Sequence, residues 1–329
     1  MLHWGRTIVR IYRYYTKSIA EMAEKVQLKN HKSMVFIYLD MILCSFRYGA
    51  SPKNYYWFGF YDHSVKRETF VTHLMSERIQ KKCNKKEEID LFQNKKRFFD
   101  TFSQYMHRTC LESCNISEPS ELLALGEKII YKPIKGSQGI GVRIFDFKND
   151  APEAVLSTIQ QLPNGVVESF LQQHKDMSRI SNSAVNVVRI VTGYNNGTVY
   201  TLAATAAFSK NLPYTNASGD AIFTNVDIET GIIISNGCDY NEDIYEVHPV
   251  STIRFKSFQI PFWKEIIDMV ESAAKEIPQI GYVGWDVAIT PDGPVIIEGN
   301  NDPGYEWMQV RMINPSGIGK KEIYSILLQ

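Results

Sequence analysis

One seventeen-residue stretch constrains the fold more than any other: Trp285-Asp286-Val287-Ala288-Ile289-Thr290-Pro291-Asp292-Gly293-Pro294-Val295-Ile296-Ile297-Glu298-Gly299-Asn300-Asn301. Thr290-Pro291-Asp292-Gly293-Pro294 is a turn signal between two β-type runs, which predicts an antiparallel hairpin. With residues 290–294 as the loop, Ile289 pairs with Val295 and Asp286 falls directly opposite Glu298. Opposed residues share a face of the pair, and Glu298 and Asn300, two apart, share one as well. Three oxygen-bearing side chains then converge, with no basic residue in the stretch. Two carboxylates this close repel unless a cation lies between them. Hard oxygen donors with room for water and phosphate oxygens suit Mg²⁺. A solvated hairpin is the alternative, but a polar end on the apolar run Val295-Ile296-Ile297 is an odd surface strand.

Three further constellations precede this one. Lys132-Pro133-Ile134-Lys135-Gly136-Ser137-Gln138-Gly139-Ile140-Gly141-Val142 packs three glycines into six residues after a strand-type run. Such a backbone approaches phosphates without hindrance. It lacks the Gly-Lys-Ser/Thr ending of a Walker loop. A strand pattern rather than a helix follows it, so it is not a dinucleotide fingerprint either. It reads as a hairpin flap, either a plain one or one closing over a nucleotide, and the flanking Lys132 and Lys135 favour phosphate. The run Val166-Val167 ends in Glu168, followed by Ser169-Phe170-Leu171. That glutamate is either an exposed strand end or the acceptor of an adenine amino group beside apolar neighbours. Arg189 stands alone in the apolar strand Val187–Thr192. Burial requires an anion for it, either an internal carboxylate or a phosphoryl group suited to its planar fork.

The remainder sets the frame. A chain of 329 residues predicts about two domains and has ample length for a core. Equal numbers of basic and acidic residues, 36 each, give no support to nucleic-acid binding by a basic surface. Residues 1–36 are an exception, with seven Lys/Arg against two Glu. Leu2–Lys17 reads as a basic amphipathic helix, either lying on an anionic membrane or docked on its own domain. No run reaches the ~20 apolar residues of a bilayer span, and no apolar segment follows Arg6, Arg10 and Arg13 as a secretory signal requires. Five cysteines make no disulfide framework, and Cys110/Cys114 have no second pair to complete a metal site. A cytoplasmic protein is expected.

Residues 18–117 look mostly helical, with period-3.6 spacing in Met34–Phe46 and Leu91–Met106. The aromatic run Tyr55–Tyr61 between them reads as a packed connection. Short β-type runs dominate from Lys128 onward, including Ile232–Ser235, with helices at Pro152–Gln161 and Phe262–Ile277. The segregation of helices from mostly antiparallel strands indicates an α+β fold.

Taken in order, these elements resemble the ATP-grasp superfamily from about Glu121 to Met312. Within it the chain looks most like the sugar-transfer-associated group, close to the teichuronopeptide-biosynthesis-like ligases. That narrower resemblance rests on Lys132-Pro133, Gly136-Ser137-Gln138-Gly139, Val167-Glu168, Gln173-His174, Asn186, Arg189-Ile190-Val191-Thr192, Asp227-Ile228-Glu229-Thr230-Gly231 and His248-Pro249. It implies two α+β subdomains clamping ATP: a lid at 118–175 with the flap and a core at 176–329 with the Mg²⁺ site, after a helical region at 1–117. It assigns Lys132 to the α/β phosphates, Ser137, Gln138 and Gly139 with Lys135 to the flap over the phosphates, and Glu168, Phe170 and Leu171 to the adenine. By the same resemblance Asp286, Glu298 and Asn300 would hold Mg²⁺, and Arg189 would steady the transferred phosphoryl group. Lys95 matches the lysine that opens the preceding helix; the family pattern has Asp before it, whereas Asn94 stands here and Lys96 adjoins, so either lysine could serve. His248, Arg254, Lys256 and Arg311 are the substrate candidates, with the loop Tyr214–Asp220. The implied reaction joins a carboxylate-bearing sugar or glycan to an amino acid or amine through an acyl phosphate, in surface-polysaccharide synthesis. The alternatives are phosphoryl transfer to a sugar hydroxyl and a non-catalytic nucleotide-binding scaffold at the membrane.

Overall fold

The protein is described by a computed structural model covering residues 17–136, 139–211 and 221–329. Residues 2–16 of the amphipathic segment, Ser137, Gln138 and the loop Tyr214–Asp220 lie outside the described residues. The chain divides by packing into two units, Met1–Lys82 with Gly304–Gln329, and Cys83–Pro303. Among the described residues no helix is long and apolar enough to cross a membrane.

The second unit is α+β, as expected, and holds two antiparallel sheets. The smaller contains β1 (Cys110–Glu112), β2 (Lys128–Pro133), β3 (Arg143–Asp146) and β4 (Gly165–Ser169), in the order β1-β4-β2-β3. β1 falls within the stretch read as helical. β2 and β3 flank the glycine loop as a hairpin. The helices Pro119–Leu123 and Pro152–Gln161 cover this sheet with Leu122, Val155 and Ile159 against Ile129, Tyr131 and Val167.

The larger sheet has seven strands: β5 (Val187–Asn195), β6 (Thr198–Ser209), β7 (Ala221–Val226), β8 (Gly237–Cys238), β9 (Ile244–Tyr245), β10 (Tyr282–Thr290) and β11 (Gly293–Asn300). Their order is β11-β10-β5-β6-β7-β8-β9. β5 and β6 are joined by Asn196-Gly197, both at positive φ, the conformation that a two-residue hairpin turn demands. Ile232–Ser235 does not form the expected strand. β7 pairs with β8 instead, and Ile232 and Ile233 make only isolated bridges to Gln259 and Val226.

β10 is buried at every position from Tyr282 to Ile289, as a strand covered on both faces must be. The helix Trp263–Glu276 contributes Ile266, Val270, Ala273 and Ala274 to the core, at the spacing of one helical face. Trp285 receives the rings of Phe92, Phe98 and Phe102, with centroids 5.3–6.4 Å away. Gly299 is directly opposite Trp285, and its missing side chain makes room for those rings.

In the first unit, the helices Met34–Tyr48 and Pro52–Trp57 are joined through Gly49, with Ser51 capping the second. The aromatic run is core: Tyr55, Tyr56, Phe58 and Phe60 are buried, and Phe58 stacks on Phe70 at 5.0 Å. Asp40 is held by both Nη groups of Arg67, at 2.8 and 2.7 Å, and by the Tyr55 hydroxyl at 2.7 Å.

A methyl group at position 299 would lie 2.7 Å from both the Phe92 and Phe98 rings. Gly299→Ala is therefore expected to cost about 1–3 kcal/mol, by the usual penalty for overpacking, measured as a lower urea midpoint with an unchanged m-value.

Candidate active site

The β10–β11 hairpin brings Asp286 directly opposite Glu298, as its sequence predicts, but through a different register at the turn. Thr290 pairs with Gly293 and Ile289 with Pro294, so the loop is the two residues Pro291-Asp292. The expected Ile289–Val295 pairing is thus one residue off. A β-bulge between Asp286 and Val287 restores the offset, leaving Ile297 as the extra residue on β11. Asn300, two beyond Glu298, pairs with Gly284, and its amide donates to Asp286 Oδ2 at 3.4 Å.

Arg189 on β5 is the cross-strand neighbour of Asp286 on its other side. The guanidinium grips both carboxylate oxygens, Nε to Oδ1 and Nη2 to Oδ2 at 2.8 Å, and Nη1 donates to the Pro303 carbonyl at 2.9 Å. Of the two partners left open for this arginine, the internal carboxylate is the one it meets. Burial works against its charge, and Asp286 more than offsets that. Glu298 is less well compensated. Burial, then the charge of Asp286, pushes its carboxyl above the ordinary range, against the pull of Lys132, Arg189 and Lys95. Two opposed carboxylates and an amide, one carboxylate holding its proton too tightly, form a donor set that fits a divalent cation. Among the described residues no group of three or more His, Cys, Asp or Glu side chains is placed to hold a metal ion, at this site or at any other, so the donor set here is two carboxylates and an amide.

Glu298 and Asn300 line a cavity of about 330 Å³ with Phe92, Phe98, Gly299 and Asn301. Three lysines, Lys95, Lys132 and Lys135, and three carboxylates, Glu168, Glu298 and Asp302, share its wall. Lys95 opens the helix Lys95–Phe102, which Asn94 caps by accepting the Lys96 and Arg97 N–H groups. A cap needs an acceptor and not a charge, so Asn94 serves here as an aspartate would. Lys95 Nζ donates to the Gly136 carbonyl at 2.8 Å, and burial lowers its pKa. Lys96 instead pairs with Asp100, at 2.6 Å. Lys135 Nζ lies 3.0 Å from Asp90.

Glu168 is buried, not an exposed strand end. Its Oε2 accepts from Lys132 Nζ at 2.9 Å and from Arg108 Nε at 2.7 Å. Burial pushes the carboxyl up, but Arg108 and Lys132 outweigh it and hold the pKa at about 2. Arg108 escaped the sequence reading. Its Nη groups reach across to the Ile296 and Ile297 carbonyls at 2.8 and 3.1 Å, so one buried guanidinium ties β4 to the bulge of β11. Its only sequence signal is a lone arginine before a short β-type run.

The other candidates are elsewhere. Phe170 donates its backbone N–H to the Lys128 carbonyl, and neither it nor Leu171 lines the cavity. Gly139 sits in a turn at φ 72° and also does not line it. His248 is buried, with Nε2 2.9 Å from the Ser209 carbonyl and Nδ1 facing the Val250 and Ser251 N–H groups. Arg254 pairs with Glu246 on the surface. Arg311 belongs to the first unit, where it meets Asp62 at 3.2 Å.

Comparison with known proteins gives one family match: residues 74–323 match the sugar-transfer associated ATP-grasp family. No curated protein matches the chain. Among solved structures it is similar to N5-carboxyaminoimidazole synthetase from Staphylococcus aureus complexed with ADP (13% identity, TM-score 0.44, 70% of this chain and 52% of that one). It is also similar to L-amino acid ligase from Bacillus licheniformis (13%, 0.41, 73% and 51%) and D-alanine–D-alanine ligase from Bacillus anthracis (14%, 0.41, 72% and 66%). The chain spans about half the length of the first solved structures it matches, 46% to 52%.

Arg108→Met strips a buried carboxylate of one of its two cations and is expected to cost about 3–5 kcal/mol in urea unfolding, as broken buried pairs do, with Arg108→Lys recovering part of the loss. The depressed Glu168 pKa stabilises the fold above the ordinary glutamate range, and this contribution is lost as pH falls toward about 2. In Arg108→Met the Glu168 pKa is less depressed, so this acid-side loss is smaller and is complete at a higher pH.

Proposed function

The chain belongs to the sugar-transfer associated ATP-grasp family, and we propose that it is an ATP-dependent carboxylate–amine ligase. The single observation that supports this most is one cavity wall on which Lys95, Lys132 and Glu168 stand beside Glu298 and Asn300, with Asp286 opposite Glu298. The proposed finer division is a lid at 118–175 bearing the flap and a core at 176–329 bearing the metal residues.

On this reading ATP lies in the cavity with its adenine toward Glu168. Arg108 and Lys132 both bond to Oε2, so Oε1 is the acceptor offered to the adenine amino group. Lys132 spends one donor on Glu168 and points its remaining charge at the α/β phosphates. Lys95 adds an ammonium already weakened by burial, which an anionic phosphate restores. Lys135, Ser137, Gln138 and Gly139 belong to the flap that excludes water from the reacting phosphate. Phe170 and Leu171 are proposed for the hinge beside the base. Mg²⁺ held by Glu298, Asn300 and Asp286 would supply the charge neutralisation that phosphoryl transfer requires.

The substrate carboxylate attacks the γ-phosphorus, the bond to the ADP oxygen breaks, and an acyl phosphate forms. An amine then attacks the acyl carbon, inorganic phosphate leaves with the C–O bond electrons, and the nitrogen gives up a proton to the departing phosphate or to solvent, giving the amide. Arg189 uses three of its five N–H donors on Asp286 and Pro303, which fixes Asp286 and keeps positive charge near the transferred group. We propose an amino acid or other amine and a carboxylate-bearing sugar or glycan as substrates, in surface-polysaccharide synthesis at the cytoplasmic face of the membrane. Residues 2–17 would contact that membrane, and Arg254 remains a proposed substrate contact, whereas the His248 ring is engaged by backbone groups and Arg311 lies in the first unit.

Turnover should release ADP and free phosphate only when an amine and a uronic-acid glycan are both present, and chelation of Mg²⁺ should abolish it. ADP without free phosphate, with label retained on the sugar, would instead mean hydroxyl phosphorylation.

Glu298→Gln removes a charge that burial and Asp286 disfavour. It should abolish turnover and yet raise the thermal midpoint in metal-free neutral buffer. A raised folded-state pKa means that ionisation destabilises the native protein as pH rises, so the gain should shrink as pH is lowered into the carboxylate range. Retained turnover would remove Glu298 from the site.

A further inference from the structure

The helix Met34–Tyr48 is apolar on two faces. Ile37, Met41 and Cys44 are buried within its own unit. Val35, Phe36, Leu39, Ile42, Leu43 and Phe46 are exposed, Leu39 at 62% and Phe46 at 88%. At about 100° per residue these six fall within an arc of about 120° near Leu39, opposite the buried set. No polar side chain interrupts that arc. The helix has two charged residues: Asp40, held by Arg67, and Arg47, exposed at the arc's edge. Such a contiguous exposed apolar face on a folded protein marks an interaction surface.

We propose that this outer face seats on an anionic lipid bilayer surface, as an interfacial helix lying in the headgroup plane. Charge favours that occupant. Asp40 is neutralised by Arg67, leaving Arg47 uncompensated on the helix, and the chain up to Phe36 carries seven Lys/Arg against two Glu. The arc offers a partner protein no hydrogen bond with which to set a register, whereas a bilayer needs none. A second copy packed along a 15-residue helix, about 22 Å long, would bury well under the ~800 Å² per partner of a stable interface. The inference adds an element to the membrane contact proposed for residues 2–17 and does not depend on the ligase reading.

The test is flotation of the full-length protein with phosphatidylcholine vesicles, with and without phosphatidylglycerol, beside Leu39→Gln/Phe46→Ser. Both positions are exposed, so the double variant should keep its circular dichroism and thermal midpoint. The expected result is binding to the phosphatidylglycerol vesicles that salt weakens and that the double variant loses by about tenfold or more, the scale set by two apolar side chains. Undiminished binding of the variant would overturn the proposal in favour of the first seventeen residues. Absence of flotation would overturn it outright. A dimer in sedimentation velocity that the double variant returns to monomer would make the face a contact between copies.

Discussion

Two carboxylates held opposite each other on neighbouring strands are the constraint to which the rest of the second unit responds. Asp286 is pinned between Arg189 on one side and Glu298 on the other, all at directly opposed positions of three adjacent strands. Like charges at such positions destabilise a sheet, and Arg189 forms its ion pair with Asp286 alone. The residual cost is visible in the raised pKa of Glu298. A partly compensated carboxylate buried at a cavity wall costs stability, and such groups are commoner at functional sites. That is the physical ground for reading the pair as a cation site.

The bulge and Arg108 make this arrangement rigid. A two-residue turn alone would place Glu298 out of step with Asp286, and Ile297 absorbs the difference. Bulged strands lose ladder bonds, and here the Ile297 carbonyl is satisfied by Arg108. The same guanidinium fixes Glu168 on the other sheet of the unit. One buried side chain therefore sets both the proposed base-reading acceptor and the strand segment that carries Glu298. Removing it would unsettle two ends of the cavity at once, which a residue serving only one sheet would not do.

Much of this was legible in the residue order because it is local. The hairpin, its opposed carboxylates and the helix Pro152–Gln161 follow from turn residues and periodicity within a few positions. The glycine loop after Lys132 announced itself by composition. What stayed hidden is long-range. Arg108 meets partners 60 and 189 residues away, and nothing in its neighbourhood names them. The choice between Lys95 and Lys96 depends on which face of a helix points inward, and only packing decides it. The fate of Arg189 was a fork that its cross-strand register resolves. His248 illustrates the reverse error: a histidine beside a proline reads as chemistry, while its ring nitrogens serve backbone groups in a loop.

The charge balance of the cavity argues for the proposed cation independently of the donor geometry. Its wall carries three lysines and three carboxylates among the described residues. One lysine is committed to Glu168 and another to Asp90. A wall so nearly neutral gives a polyanionic triphosphate little net attraction, and desolvating its phosphates there would be costly. A divalent cation at Glu298 would make the wall net positive where the γ-phosphate would lie, and it would relieve the Asp286–Glu298 repulsion in the same step. On the proposed function the nucleotide and the metal would each be poorly accommodated alone and better accommodated together. On the proposed reading their binding is mutually reinforcing, with the carboxylate pair as the element through which the two are coupled.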